Sequence, residues 1–185
     1  MVSIDEIGIG VLSSSKSRRM NINKANLKIG NETFLNHICK KFESFSEITI
    51  ATNDRSITAN AVYDEHEGVG PMEGIYQILK STNKKYCFIC SVDMPFINQD
   101  LVYYLVEKID NEHECYIFKD EERVHPTCGI YSKNIVPVLK DLIDNKKYCL
   151  LEIYERCKTK YIDYNLDKKM LININTNEDY EKLCN

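Results

Sequence analysis

The sequence predicts an α/β fold, a three-layer sandwich with a mostly parallel central sheet, helices on both faces and one antiparallel excursion. Three observations lead there. Short apolar runs alternate along the chain with segments of helical periodicity, the order that yields a parallel sheet covered on both sides. One run, Tyr86 to Val92 (YCFICSV), is almost continuously apolar, as a central strand buried on both faces should be. Two more, Glu114 to Phe118 and Thr127 to Tyr131, form a close pair across the charged turn Lys119-Asp120-Glu121-Glu122-Arg123, and this pair reads as the excursion.

Taken in order, Ile7, Ile9, Val11 and Leu12 make a first buried strand that stops at Ser13-Ser14-Ser15. A polar, basic loop follows, with Lys16, Arg18, Arg19 and Lys24. After the turn signal Gly30-Asn31, a helix is expected over Thr33 to Phe45, because Leu35, Ile38, Phe42 and Phe45 recur at helical spacing. Glu47 to Thr52 alternates like a strand, and Ala61-Val62-Tyr63 is a shorter one ending at Asp64. Gly68-Val69-Gly70-Pro71 breaks the chain and starts a helix, with Pro71 suited to its first turn. The Leu101, Leu105, Ile109 repeat gives another helix. Past the excursion come helices over Asn134 to Ile143 and Cys149 to Cys157, then strands near Tyr161 and at Met170 to Ile174. Thr176 with Asp179 resembles a capping box for a last helix.

Composition narrows the class. With 185 residues, 43% hydrophobic and 28% charged, the chain suits one globular domain over residues 1–185 with a sizeable core. A net charge of −4 argues against a broad nucleic-acid-binding face, so any positive field is local. There is no basic segment followed by a long apolar one at the start. Nor does any run approach the roughly 18 apolar residues of a membrane helix, so a cytoplasmic protein with no membrane partner is expected. The eight cysteines mostly sit in apolar runs, where free thiols behave as small hydrophobes. Cys87 and Cys90 form a C-x-x-C, but on a strand they point to opposite faces, which disfavours one metal or one disulfide claiming both.

Candidate chemistry gathers at strand ends. The basic loop after the first strand brings backbone N–H groups and cations to the carboxyl edge of a sheet, where ligands bind in open parallel sheets, and that combination suits polyphosphate. The P-loop pattern is absent. Gly8-x-Gly10-x-x-Ser13 approaches the dinucleotide fingerprint, but its glycines lie within the apolar strand rather than after it. Asp93 ends the most buried strand before a proline-stiffened turn, a placement that suits Mg²⁺ held against phosphate or a turn-capping carboxylate. Asp64 ends another strand. Asn173 and Asn175 flank Ile174 and face one side, as a polar cleft wall or the start of a cap. His125 closes the charged turn in His125-Pro126-Thr127.

The order of these pieces resembles the molybdenum cofactor guanylyltransferases, the MobA family, over nearly the full length. The resemblance is carried by the loop from Leu12 to Met20 with Lys24, then Asp64, Gly70-Pro71-Met72-Glu73-Gly74, Ser91-Val92-Asp93-Met94-Pro95, His125-Pro126-Thr127 and Asn173-Ile174-Asn175-Thr176. It implies a Rossmann-like sandwich of the nucleotide-diphospho-sugar transferase type. It also implies transfer of GMP from GTP to molybdopterin phosphate with release of pyrophosphate, with Mg²⁺ as cofactor and other molybdenum cofactor biosynthesis proteins as admissible partners.

Carried over residue by residue, the resemblance puts Leu12, Ser13 and Ser14 in the nucleotide pocket and Lys24 on the triphosphate. It puts Asp64 at the guanosine and Asp93 on both Mg²⁺ and nucleotide. A further nucleotide contact falls at Thr52 or Asn53, and Asn53 is preferred because its amide both donates and accepts. Arg19 joins Lys24 and Asp93 in neutralising the charge that develops on pyrophosphate. His125, Lys147, Asn173 and Asn175 are assigned to the second substrate, the alternatives being a structural histidine at 125 and, for Lys147 with Lys146, solvated charges at a helix end. One difference from the family is plain: its loop usually reads Leu-Ala-Gly-Gly, and here it reads Leu12-Ser13-Ser14-Ser15. Glycine permits a close backbone approach that serine resists, whereas serine offers hydroxyls to phosphate. The alternatives are a relative using CTP or another phosphate acceptor, and a non-catalytic nucleotide-binding paralogue.

Overall fold

The structure, a computed structural model, describes residues 2–13, 24–121, 123–164 and 167–184. Strand β1 (Ile7–Leu12) is followed by the short strands β2 (Lys28–Ile29) and β3 (Glu32–Thr33), helix α1 (Phe34–Lys41), β4 (Ile48–Thr52), β5 (Ala61–Tyr63) and α2 (Pro71–Ser81). Then come β6 (Tyr86–Ser91), α3 (Gln99–Val106), β7 (Cys115–Lys119), β8 (Val124–Ser132), α4 (Val136–Asp144), α5 (Leu151–Arg156), β9 (Thr159–Asp163) and α6 (Asn177–Cys184). A seven-stranded sheet runs β5-β4-β1-β6-β8-β7-β9. Pairings β1·β4, β1·β6, β4·β5 and β7·β9 are parallel, while β8 is antiparallel to both its neighbours. The excursion is therefore β8 alone, and β7 runs with the other strands.

The sheet divides two apolar cores. Along β6, Tyr86, Phe88 and Cys90 face one core with α1 and α3, while Cys87 and Ile89 face the other with α2, α4 and α5. This is the period-two alternation of a strand covered on both sides, and it places Cys87 and Cys90 on opposite faces as expected. Met72, Ile75, Ile78 and Leu79 of α2 are fully buried. Each contributes roughly 1.5–3 kcal/mol, which an eleven-residue helix of marginal intrinsic stability needs.

Close packing of α2 on the sheet explains Gly10 of β1 and Gly74 of α2. A Cβ at Gly10 would lie 2.6 Å from Ile89 Cδ1 and 2.8 Å from Ile78 Cγ2, and one at Gly74 would lie 2.7 Å from Leu12 Cδ2. Both glycines are spacers where helix and strand cross, consistent with rejecting a dinucleotide fingerprint. The start of α2 also follows expectation: Pro71 opens the helix, and Gly70 precedes it at φ 80°, a conformation that costs glycine little.

Several boundaries differ from the sequence reading. Helix α1 is shorter than Thr33 to Phe45. Thr33 is its N-cap, accepting from the Asn36 N–H at 3.2 Å, and Phe42 ends it. Gly30-Asn31 forms the tip of the small hairpin β2–β3. The last two central helices also begin later than expected, since a 3₁₀ turn over Lys133–Ile135 precedes α4 and α5 starts at Leu151. The segment Met170 to Ile174 is not a strand: Lys168–Leu171 is a 3₁₀ turn, and the residues after it run without a sheet partner. The Met170 and Ile172 N–H groups bond back within that turn, and the Ile174 N–H donates to the Asp93 carbonyl at 2.8 Å.

Candidate nucleotide site

The carboxyl ends of β1, β4, β5 and β6 open on one edge of the sheet. Reversal of β8 brings its first residues to that same edge, since Cys90 of β6 pairs with Cys128. Backbone bonds fasten the strand ends together: Ser13 N–H donates to the Ala51 carbonyl at 2.8 Å, and Val92 N–H to the Leu12 carbonyl at 3.0 Å. Leu12 and Ser13 are buried at the end of β1. The Ser13 Oγ is enclosed and has no hydrogen-bond partner among the described residues. A buried hydroxyl in that condition is costly unless a ligand or neighbouring group meets it. Arg19 and Ser14 lie outside the described residues.

Asp93 is the hub. Its Oδ2 accepts from Lys24 Nζ at 2.7 Å, and its Oδ1 accepts from Asn173 Nδ2 at 3.0 Å. Lys24 Nζ also donates to Asn175 Oδ1 at 2.7 Å. Lys24 and Asp93 are only 5% and 6% exposed, so their charges are held by each other and by the two amides rather than by water. Three distant segments meet here: a 3₁₀ turn over Lys24–Asn26, the end of β6, and the stretch leading to α6. The stretch is anchored by its cap, in which Asp179 Oδ2 accepts the Asn175 and Thr176 N–H groups at 3.0 and 2.9 Å and Thr176 Oγ1 accepts the Asp179 N–H at 3.1 Å. Asn173 and Asn175 thus share one side, as read from the sequence, though the backbone between them is not sheet.

Thr52, Asn53, Asp64 and His125 lie at the same edge, at different depths. Thr52 is fully buried and its Oγ1 accepts the Asp54 N–H at 3.1 Å, whereas Asn53 is exposed. Asp64 is half-buried, its N–H directed at the Thr52 carbonyl at 3.4 Å. His125 does not close the turn as expected but lies within β8, where the register with β7 shifts between Ile117 and Lys119. That irregularity accommodates Pro126, which has no N–H to give a ladder. His125 is 5% exposed, with Nε2 2.7 Å from Asp120 Oδ2. Lys147 follows α4 and pairs with Glu152 at 3.5 Å; it is not among the residues that contact Asp93.

Two features escaped the sequence reading. Glu73, within Gly70-Pro71-Met72-Glu73-Gly74, is fully buried in the first turn of α2. Its place three residues after Gly70 was the available signal. Tyr131 donates to the Pro126 carbonyl at 2.6 Å and shares a 2.8 Å hydrogen bond with the Tyr154 hydroxyl, bracing the irregular part of β8 from α5. No sequence pattern marks that contact.

Comparison with known proteins places this edge in context. Residues 9–159 match a family described as the MobA-like NTP transferase domain. A Clostridium perfringens protein named "Probable molybdenum cofactor guanylyltransferase" is 32% identical over 186 residues, spanning 94% of this chain and 93% of its own. The Campylobacter jejuni "Molybdenum cofactor guanylyltransferase" is 23% identical over 188 residues, spanning 98% and 97%. Among solved structures, molybdopterin-guanine dinucleotide biosynthesis protein A from Archaeoglobus fulgidus superposes with a TM-score of 0.84 at 21% identity, covering 96% of each chain, a likeness of fold.

Proposed function

The chain belongs to the MobA-like NTP transferase family, and from that membership we propose that it is a molybdenum cofactor guanylyltransferase. It transfers GMP from GTP to the phosphate of molybdopterin and releases pyrophosphate, as one nucleotidyltransferase domain working in the cytoplasm. The observation that carries the reading is the buried Lys24–Asp93 pair at the carboxyl edge of the sheet, bracketed by Asn173 and Asn175.

The donor set fits Mg²⁺. That ion keeps most of its shell as water and substrate phosphate oxygens and asks the protein for one or two carboxylates. Asp93 supplies one, each oxygen accepting a single hydrogen bond among the described residues and so retaining a lone pair. When bound, the ion neutralises charge on the phosphates.

The chain's own residues do the rest. Lys24 has two of its three ammonium donors engaged among the described residues, and the third serves a phosphate oxygen. Asp93 and Asn175 keep that ammonium aimed, so little ordering is left to complete when the triphosphate arrives. Leu12, Ser13 and Ser14 line the nucleotide pocket, with Ser13 Oγ a hydroxyl awaiting a partner. Asn53 and Asp64 meet the nucleoside, Arg19 and Lys24 offset charge on the departing pyrophosphate, and His125, Lys147, Asn173 and Asn175 face the second substrate. In-line attack by a phosphate oxygen on the α-phosphorus needs no covalent nucleophile from the protein.

Calorimetric titration with GTP, CTP and ATP in the presence of Mg²⁺ tests the reading. The expected result is selective GTP binding that weakens in Asp93→Asn. Equal binding of CTP, or GTP binding indifferent to Asp93, overturns the assignment.

A further inference from the structure

We propose that Glu73 is a positioning residue for guanosine: its buried carboxylate fastens the peptide that follows Asp64 and so aims the Asp64 side chain at the nucleotide. The inference rests on the assignment of Asp64 to the guanosine.

Glu73 is fully buried, a placement that costs a carboxylate several kcal/mol unless its oxygens are bonded. They are bonded in a particular direction. Oε1 accepts the Glu65 N–H at 2.9 Å and Gln77 Nε2 at 2.8 Å, and Oε2 lies 3.0 Å from His66 Nδ1. A glutamate in the first turn of a helix ordinarily reaches back to the residue that caps the helix. Glu73 reaches past Gly70 to Glu65 and His66 at the far end of the β5–α2 connection.

That connection needs a tether. Residues 65–68 are exposed, and Gly68 and Gly70 sit at φ 81° and 80°, so the loop's own chain does little to hold its path. The Asp64 N–H reaches the Thr52 carbonyl only at 3.4 Å. The next N–H, that of Glu65, is held at 2.9 Å by a charged acceptor, which makes the stronger bond. Since this N–H belongs to the peptide unit that carries the Asp64 carbonyl, holding it fixes the backbone from which the Asp64 side chain projects. Lys80 Nζ of α2 donates to both oxygens of the Glu65 carboxylate at 3.0 Å, so that side chain is engaged in an exposed ion pair.

A double-mutant cycle read by calorimetric GTP affinity decides the matter. Glu73→Asp keeps the charge but withdraws it by one methylene, and should weaken GTP binding about fivefold, the worth of one net hydrogen bond. In an Asp64→Ala background the same change should cost almost nothing, because the group being aimed is gone. Glu73→Gln keeps an oxygen for the Glu65 N–H but not the charge that strengthens the bond, so it should weaken GTP binding less than Glu73→Asp does, and again only where Asp64 is present. Should Glu73→Asp fail to fold, Gln77→Leu replaces it in the cycle. An equal loss in both backgrounds, or no loss where Asp64→Ala itself weakens binding, overturns the proposal. Undiminished GTP affinity in Asp64→Ala instead overturns the assignment of Asp64 to the guanosine, and the role of Glu73 falls with it.

Discussion

Lys24 and Asp93 are 69 residues apart in sequence, and their charged atoms are 2.7 Å apart in the fold. Neither side chain has enough exposure to rely on water, so each is the other's main source of charge compensation.

Removing one partner should therefore cost more than removing both. Lys24→Met should lose about 3 kcal/mol in urea denaturation by leaving Asp93 buried with only Asn173, whereas Lys24→Met combined with Asp93→Leu should recover much of that loss. GTP binding should be absent from both variants. Equal stability of Lys24→Met and wild type would show that the pair is solvated in solution.

Asn175 offers a milder test. It accepts from Lys24 and makes no hydrogen bond to Asp93, so Asn175→Ala should leave the unfolding free energy within about 0.5 kcal/mol of the parent and weaken GTP binding several-fold. Unchanged affinity would release Asn175 from the task of orienting the ammonium.

Gly10→Ala should destabilise by about 1–3 kcal/mol, because the new methyl meets Ile78 and Ile89 inside the packed layer between β1, β6 and α2. Gly74→Ala should cost a similar amount and also reduce GTP affinity, since the atom it displaces belongs to Leu12. Thermal unfolding with and without nucleotide separates the two effects.

Burial pushes the Cys87 thiol up to about 12 from an ordinary 9.0, and it pushes Cys90 and Cys128 in the same direction. A raised folded value means stability that is complete below 9.0 and lost as pH climbs toward about 12, because the unfolded thiol gives up its proton first. The stability gap between wild type and Cys87→Ala should narrow over that window, measured by denaturant midpoints at stepped pH. A gap that stays constant would mean Cys87 is less enclosed than its position in β6 implies.

How much of this was legible in the sequence depended on the range of the signal. The strands β1, β4 and β6 and the cap at Thr176 and Asp179 were readable because apolar periodicity and capping act over a few residues. Met170 to Ile174 misled because an apolar run with alternating amides looks like a strand whether or not a sheet edge is available to it. His125 and Pro126 looked like a turn because proline rarely sits inside a strand, and only the register shift against β7 makes room for it. Asp93 and Lys24 could be nominated separately, by strand end and by resemblance. Their pairing, like the contacts of Glu73, depends on tertiary neighbours that no local pattern records.

The stretch that carries Asn173 and Asn175 is held by side-chain contacts and a few main-chain bonds rather than by a strand ladder, and that gives the site its own mode of local opening. Such a segment can detach in a sub-global fluctuation while the seven strands stay paired. A nucleotide that engages Lys24 and Asp93 draws on the closed form only, so binding slows that fluctuation by mass action. The amide of Ile174, bonded to the Asp93 carbonyl, is the reporter: its hydrogen exchange should slow with GTP while the amides at the centre of β6 stay as they were.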